Sequence, residues 1–288
     1  FTYPRILGHE LGVEVLEVGD GVENVRPGDR CAVEPYLNCG TCRACRAGRT
    51  NCCATLKVLG VHADGGMRER IVVPARKLHR SETLSLDQLA LVETLGIGAH
   101  AVARAQPTRE DEVLVIGAGP IGLAVTQFAQ ATGARVVVLD VYEPRLEFCR
   151  SQLGVSETLL AGDDLPARVR RMLDGELPSI VFDATGNVAS MERSFELVSQ
   201  GGKLVFVGLV QSDVKFWDPE FHRREITLLA SRNSSTTDFR GVLEAVENGR
   251  IDTRPWITHR TSLDDLVDTF PTWLAPEAGV IKAMVALP

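Results

Sequence analysis

Residues 113–122 read VLVIGAGPIG, an apolar run that leads directly into a glycine-rich turn. The run 113–116 is apolar at every position, which is typical of a strand buried on both faces of a parallel sheet. The next stretch, 121–132, has a helical pattern and precedes Gly133, a residue type common just after helix C-termini. Strand, glycine turn and helix in this order predict the first unit of a doubly wound α/β sheet.

The alternation of strand and helix continues beyond this unit. A second strand at 135–139 is followed by a helical segment, and later strands are predicted at 179–182, 203–207 and 226–229. This alternation predicts one mostly parallel sheet with helices on both faces. The helical run 238–247 then leaves the sheet.

The first third of the chain has a different pattern. Short apolar segments alternate with glycine and proline up to about residue 95. Pro27, Gly28 and Asp29 form a turn sequence, since proline fixes φ and glycine accepts positive φ. Several short strands with turns at this spacing predict a β-barrel-like domain, so we expect two domains of different class.

Four cysteines lie within the stretch CGTCRACRAGRTNCC, in the pattern C-x-x-C-x-x-C-x7-C: Cys39, Cys42, Cys45 and Cys53. Four thiolates at this spacing can surround one Zn²⁺ tetrahedrally at roughly 2.3 Å each. The alternative is a set of buried or disulfide-bonded cysteines, which we disfavour because the chain does not resemble a small secreted scaffold. A closed four-thiolate set has no open position for substrate. The loop 39–53 therefore predicts a structural zinc site.

Composition narrows the choice of partners and compartment. The 288 residues suit two domains, and the net charge of −7 argues against a nucleic-acid or anionic-membrane surface. No apolar run approaches the ~18 residues of a transmembrane helix, and no signal peptide opens the chain. Seven cysteines without a pairing framework fit a reducing compartment. We expect a soluble, cytoplasmic protein that acts on a small molecule.

Further motifs surround these two features. GHELGVEVLEVGDGVENVRPGDR lies upstream of the cysteine loop, and DATG lies downstream of the glycine turn. Together, over essentially the whole chain, they resemble the zinc-dependent medium-chain dehydrogenase/reductase family. The resemblance implies a GroES-like β-barrel catalytic domain over 1–95, a Rossmann NAD-binding domain over 96–235, and a tail, 236–288, that returns to the catalytic domain. It also implies a homodimer or homotetramer.

The start of the chain differs from the family pattern. Family members have several tens of residues before GHE, which hold a cysteine ligand of the catalytic zinc and a serine or threonine that relays the proton. Neither is present in FTYPRILGHE, so we expect this chain to be the remainder of a longer protein. A catalytic domain interpreted from this chain is therefore incomplete at its N-terminal side.

The glycine turn predicts a dinucleotide site. Gly117 permits the tight turn, Gly119 admits the pyrophosphate and Gly122 allows helix and strand to pack closely. Pro120 and Ile121 open the helix, whose N-terminus favours an anion.

Asp140 ends the next strand, where its carboxylate can accept hydrogen bonds from ribose hydroxyls and repel a 2′-phosphate, so we predict NAD over NADP. Asp140 as an ordinary helix N-cap is the alternative. Arg145, five residues on, flanks the adenine or tolerates a phosphate.

The family resemblance adds cofactor contacts at the ends of later strands and near the C-terminus: Thr185, Gly186, Val207, Gly208, Leu209, Arg232 and Lys282. For Arg232 and Lys282 an ordinary surface position is an equal alternative. Lys282 stands where the family often has a cation near the pyrophosphate.

The resemblance also implies a catalytic zinc site with His9, Glu10 and Glu93 as the catalytic and metal-binding residues. Glu93 lies in ETLGIGAHA, where classical alcohol dehydrogenases carry a cysteine, so the chain resembles the polyol and sugar-acid branch. The sequence does not rank the two glutamates as the direct ligand. His62, before the glycine pair of DGG, is a further pocket candidate. His100 is expected to be a packed residue.

These features together predict a zinc-dependent, NAD-linked oxidoreductase. The expected reaction moves a hydride from a secondary alcohol of a polyol, a sugar acid such as an aldonate, or a threonine-like molecule to NAD, with zinc stabilising the alkoxide. A zinc-free quinone or enone reductase would lack GHE, Glu93 and the cysteine loop. A catalytically silent, NAD-binding redox-sensing regulator of the same fold remains as the alternative.

Overall fold

The computed structural model describes residues 3–288, which divide into two compact units. Of these residues, unit one comprises 3–96 together with Asn233–Pro288, and unit two comprises Ile97–Arg232.

The strands of the described residues are, in chain order, β1 (Gly12–Glu14), β2 (Arg30–Val33), β3 (Tyr36–Leu37), β4 (Lys57–Val58), β5 (Leu78–Ser81), β6 (Glu112–Ile116), β7 (Arg135–Asp140), β8 (Glu157–Leu160), β9 (Ile180–Asp183), β10 (Lys203–Phe206), β11 (Thr227–Ala230), β12 (Ile257–Ser262) and β13 (Lys282–Ala286). The α-helices are α1 (Arg43–Arg46), α2 (Leu86–Ala90), α3 (Val92–Ala105), α4 (Pro120–Ala131), α5 (Glu143–Leu153), α6 (Leu165–Met172), α7 (Val188–Ser194), α8 (Asp218–Arg223), α9 (Thr236–Glu247) and α10 (Leu266–Trp273). Short 3₁₀ helices occupy Thr50–Cys52, Ala75–Lys77, Phe195–Leu197, Arg254–Trp256 and Pro276–Ala278.

Unit two contains a six-stranded sheet in the order β11-β10-β9-β6-β7-β8. Every neighbouring pair is parallel, which makes this the doubly wound Rossmann order and confirms the predicted α/β class. The predicted strands begin and end within one residue of the observed ones. The prediction missed β8, an edge strand with only one buried residue among its four, so its sequence lacks a continuous apolar run.

Unit one is built from short strands. β1, β2 and β5 form a three-stranded antiparallel sheet, β3 pairs with β4, and β12 pairs with β13 in parallel. Gly12 shows why this packing needs glycine. A Cβ atom there would lie 1.9 Å from the carbonyl oxygen of Leu86, so α2 could not pack against β1.

The structure groups the C-terminal segment with the N-terminal strands. α9 begins two residues before the predicted helix because Ser235 and Asp238 form a capping box. Its Phe239 is fully buried, stacked on His79 at 5.1 Å between ring centroids and edge-on to Tyr36 at 6.4 Å. These contacts attach α9 to β3 and β5.

Among the described residues, no helix combines the length and apolar character that crossing a bilayer requires.

Candidate metal and dinucleotide sites

The four cysteines of the loop 39–53 converge. One Sγ atom from each of Cys39, Cys42, Cys45 and Cys53 lies within 4.8 Å of every other. The Sγ atoms of Cys39 and Cys45 are 4.0 Å apart. Sulfurs at tetrahedral positions around zinc, with bonds of roughly 2.3 Å, would be separated by about 3.8 Å, so the thiol set fits one zinc ion. All seven cysteines are free thiols in this structure.

The loop backbone stabilises thiolate on two of these sulfurs. The Cys42 N–H donates to Cys39 Sγ at 3.3 Å, and such backbone bonds lower the pKa of Cys39 to about 5. A bond from the Ala54 backbone similarly lowers the pKa of Cys42. Burial raises the pKa of Cys45 to about 11, so a metal must displace its proton. Two of the four sulfurs, those of Cys39 and Cys42, therefore favour the thiolate form that binds a metal cation.

The second cluster joins residues that are far apart in sequence. Ligand atoms of His9, Glu10 and Glu93 all lie within 4.8 Å of one another. His9 and Glu10 precede β1, whereas Glu93 lies in the first turn of α3. One imidazole and two carboxylates form an oxygen-rich donor set that suits zinc or a harder divalent cation. Burial lowers the pKa of His9, which favours the neutral imidazole that metals bind.

A glycine-rich turn holds the His9 segment in place. The N–H groups of Gly65 and Gly66 donate to the carbonyl oxygens of Ile6 and Gly8, at 2.8 and 2.9 Å. A Cβ atom on Gly65 would lie 2.2 Å from the Gly8 oxygen, so only glycine permits this approach. The DGG turn is therefore a structural support of the metal-ligand segment.

Tyr36 was not identified from the sequence, yet it contacts the cluster directly. The Tyr36 hydroxyl donates a short hydrogen bond to Oε1 of Glu93. Tyr36 is 2% exposed and Glu93 is 5% exposed. Burial, with the nearby Glu10 carboxylate, raises the pKa of Glu93 to about 7. A desolvated carboxylate in this position requires donors or a cation, and Tyr36 supplies one donor.

Lys282 has a different neighbour from the one that the resemblance implied. Its Nζ forms an ion pair with Oε2 of Glu10, inside unit one. The structure thus places Lys282 at the His9 cluster, and its contact with a pyrophosphate stays a prediction. The two glutamates also differ: Glu10 has a lysine partner, whereas Glu93 has a tyrosine partner.

The glycine turn has the geometry expected of a dinucleotide loop. Gly117 has φ +99°, and a Cβ atom on Gly122 would lie 1.6 Å from the Gly117 oxygen. Gly119 is the N-cap of α4, and Pro120 and Ile121 open that helix. The nearest neighbour of a Cβ atom on Gly119 would be Nη1 of Arg145, at 3.6 Å. A cation therefore lies beside free helix N–H groups.

Asp140 connects the glycine turn to the end of β7. Its Oδ2 accepts from the Ala118 N–H at 2.6 Å and its Oδ1 accepts from the Tyr142 N–H at 2.9 Å. The N-cap of α5 is Tyr142, so Asp140 does not cap that helix, and the capping alternative is wrong. Each carboxylate oxygen keeps a further lone pair that can accept a hydroxyl.

The DATG and 207–209 segments lie at the same carboxyl edge. Thr185 is fixed by its N–H and Oγ1, which both donate to Asp183. A Cβ atom on Gly208 would lie 2.4 Å from the Gly186 nitrogen, so the two segments pack backbone to backbone. Val207 precedes this contact, and Leu209 after it is 80% exposed. Arg232 lies two residues beyond the C-terminal end of β11.

The remaining candidates lie outside the two ligand clusters. His62 Nδ1 accepts from the Val58 N–H at 3.1 Å and so closes a turn. His100 is half-buried within α3. Cys31 and Cys149 are buried thiols, and Cys52 is exposed.

Comparison with known proteins identifies the family. Residues 1–83 match an alcohol dehydrogenase GroES-like domain, and residues 120–248 match a zinc-binding dehydrogenase domain. The chain is 38% identical to L-galactonate-5-dehydrogenase of Escherichia coli K12, covering 99% of this chain and 84% of that protein. It is 31% identical to 2-dehydro-3-deoxy-L-galactonate 5-dehydrogenase of Pseudoalteromonas atlantica, covering 99% and 83%.

A solved structure has the same fold. The E. coli CFT073 alcohol dehydrogenase rspB, in complex with NADH, superposes with a TM-score of 0.92 at 30% identity, covering 99% of this chain and 85% of that one. The matched domains follow one another in the expected order, and both predicted ligand sets converge in the structure. The chain therefore belongs to the zinc-dependent medium-chain dehydrogenase/reductase family.

Proposed function

We propose that this protein is a zinc-dependent, NAD-linked dehydrogenase that oxidises a secondary hydroxyl of a sugar acid, with an aldonate as the preferred class. The convergence of His9, Glu10 and Glu93 carries the proposal, because it provides an oxygen-rich metal site in the GroES-like unit. The two curated relatives described above, which are named for galactonate-type substrates, support the choice of substrate class.

We assign His9 and Glu93 as the residues that hold the catalytic zinc. When bound, zinc supplies Lewis acidity that favours loss of the alcohol proton, and nicotinamide supplies the hydride acceptor. Tyr36 orients Glu93 by donating to one of its oxygens, which leaves the other oxygen for a cation. Lys282 balances the charge of Glu10, so Glu10 can approach or leave the metal without remaining an unpaired charge.

The cofactor assignment follows from the carboxyl edge of the six-stranded sheet. We propose NAD rather than NADP, because the Asp140 carboxylate would face the adenosine ribose and repel a 2′-phosphate. Arg145, beside Gly119, would contact the adenosine half. The remaining proposed cofactor residues are Gly117, Pro120, Ile121, Gly122, Thr185, Gly186, Val207, Gly208, Leu209, Arg232 and Lys282.

We propose that three segments of the chain have different roles. Residues 1–95 form the catalytic domain, residues 96–235 bind the cofactor, and residues 236–288 complete the catalytic domain. Cys39, Cys42, Cys45 and Cys53 hold a structural zinc that stabilises the loop 39–53 and does not meet substrate.

We propose a homo-oligomer in the cytoplasm. β11 is an edge strand of the parallel sheet, and its Leu228 is 39% exposed. Trp217, in the same unit, is 73% exposed. An exposed edge strand and large exposed apolar side chains are features that a second copy would cover. The free thiols fit a reducing compartment.

The test is a substrate panel with metal analysis, made on the protein in whatever full-length form its gene encodes. We expect chelator-sensitive reduction of NAD with an aldonate, weaker turnover of polyols and threonine, and little with simple alcohols. Two zinc ions per chain are expected. Binding of NAD with one zinc and no turnover across the panel would contradict the proposal and support a regulatory protein instead.

A further inference from the structure

Unit one contains a surface cavity of about 450 Å³ that the dehydrogenase sites do not use. Its polar lining consists of Asn24, Arg76, His79, Arg80 and Arg240, together with two leucines. None of the lining residues is acidic. Although the chain has a net charge of −7, three arginines line this one cavity.

Of these three arginines, only Arg80 has an acidic partner among the described residues. Arg80 pairs with Glu82 at 2.9 Å and, more weakly, with Asp29 at 3.5 Å. Arg76 and Arg240 have no side-chain hydrogen bond or ion pair to any residue in the described range 3–288. Two uncompensated guanidinium groups on one cavity repel each other. An anion between them would reverse that repulsion and accept paired N–H donors.

The cavity walls are held by secondary structure. Arg80 lies on β5 and Arg240 lies on α9, and Ser81 of β5 donates a hydrogen bond to Glu247 of α9. Asn24 donates to the carbonyl oxygen of Ala75 at 2.8 Å, next to Arg76. The backbone that carries the arginines is therefore fixed before a ligand arrives, which lowers the entropic cost of binding.

The buried His79 at this cavity belongs to a network that reaches the metal-ligand cluster. Its Nε2 lies 3.1 Å from Oε2 of Glu34, a fully buried carboxylate that also binds Lys77. Although burial raises the pKa of Glu34, hydrogen bonds from His79 and Lys77 bring it below its usual value. His79 also stacks on Phe239, which meets Tyr36 edge-on. The cavity is thus built on the framework that positions Glu93.

We propose that this cavity is a binding site for a compact dianion, a phosphate monoester or a small dicarboxylate. Arg76 and Arg240 each donate a pair of N–H groups to the ligand, and Asn24 and Arg80 complete the polar lining. The two free cations select a dianion, so a monoanion such as acetate binds more weakly than a dianion such as malonate. Dianion binding at this cavity does not require the proposed dehydrogenase activity.

Calorimetric titration tests the proposal on the zinc-loaded protein with NAD saturating, so that the pyrophosphate site is filled. The probes are glucose 6-phosphate, malonate and the monoanion acetate, with glucose as the neutral control and sodium chloride at matched ionic strength. We expect one saturable site for a dianion, no saturation with glucose, and weaker binding of acetate. Glucose 6-phosphate binding without malonate binding would assign the site to phosphate esters, and the reverse would assign it to dicarboxylates.

Substitutions then locate the ligand. Arg76→Ala and Arg240→Ala should each weaken dianion binding by about tenfold or more, since a charged hydrogen bond contributes about 1.5–3 kcal/mol. Arg240→Glu should abolish binding, and the exposed Arg171→Ala on α6 should leave it unchanged. The Tm without ligand verifies that each variant is folded. Absence of any saturable dianion binding, or equal affinity in the wild type, Arg76→Ala and Arg240→Ala, would overturn the proposal.

Discussion

The two candidate metal clusters of unit one are assembled in opposite ways. The cysteine loop takes all four ligands from 15 consecutive residues, and its own backbone N–H groups donate to the sulfurs. The His9 cluster takes its ligands from a loop and from a helix about 80 residues later, and depends on Tyr36 and Lys282 for support. A local site can serve stability, whereas a distributed site couples its geometry to the packing of the whole unit.

The two clusters also differ in whether a substrate can reach the metal and in which residues contact the ligands. Four thiolates leave no open coordination position, but one imidazole and two carboxylates leave room for a substrate oxygen. The carboxylates have separate hydrogen-bonding partners, Lys282 for Glu10 and Tyr36 for Glu93. The clusters should therefore respond differently to single substitutions.

The largest expected effect is the loss of catalysis in His9→Ala. Removing the nitrogen ligand should lower kcat by about 10²–10³-fold, because the metal contributes several kcal/mol of transition-state stabilisation. NAD affinity and the thiolate-bound zinc should remain. Steady-state kinetics and zinc analysis measure the effect, and His222→Ala is the control because His222 is exposed on α8, in unit two. Full activity of His9→Ala would exclude this cluster from the chemistry.

A large effect on stability, with a smaller one on chemistry, is expected for Cys42→Ser and Cys45→Ser. Each variant should lose about one zinc per chain and lower the free energy of unfolding by several kcal/mol, because structural zinc binding is part of the folding energy. The exposed Cys52→Ser is the matched control and should keep both metals. Denaturant unfolding and metal content report the result. Unchanged zinc content in both variants would contradict a four-thiolate site.

Tyr36→Phe should produce an intermediate effect that is confined to the distributed site. Losing the hydroxyl that orients Glu93 should weaken metal binding there by about 10–100-fold. Chelator competition on the cobalt-substituted protein gives the affinity, and its visible spectrum reports the ligand geometry. The exposed Tyr3→Phe should change neither. A wild-type spectrum and affinity in Tyr36→Phe would show that the hydrogen bond does not position Glu93.

The smallest expected effect concerns the cofactor. Asp140→Ser should raise the KM for NAD by roughly tenfold, since a charged hydrogen bond contributes about 1.5–3 kcal/mol. Discrimination against NADP should decrease at the same time, because the repulsive charge is gone. The exposed Asp163→Ser is the control. A wild-type preference for NADP would contradict the assigned role of Asp140.

The sequence predicted the parts of this protein that are encoded locally. The strands of the parallel sheet, the three glycines and the cysteine loop each depend on residues that are close in the chain, so pattern and spacing were sufficient. β8 was missed because an edge strand need not be continuously apolar. The family resemblance, more than any local pattern, indicated His9, Glu10 and Glu93.

The supporting residues could not be predicted in the same way. Tyr36 reaches Glu93 across 57 positions, and Lys282 reaches Glu10 across 272. Neither residue type is unusual at its position, and only the packing of unit one reveals the contact. The glycines of the DGG turn gave a partial signal, since paired glycines indicate close backbone approach.

The most direct test of the account is a crystallographic anomalous-difference map collected at the zinc edge from the active protein. We predict two peaks per chain, one among Cys39, Cys42, Cys45 and Cys53, and one bound by His9 and a carboxylate oxygen of Glu93. A single peak in the cysteine loop, with no metal near His9 in protein that oxidises alcohols, would contradict the proposed catalytic site.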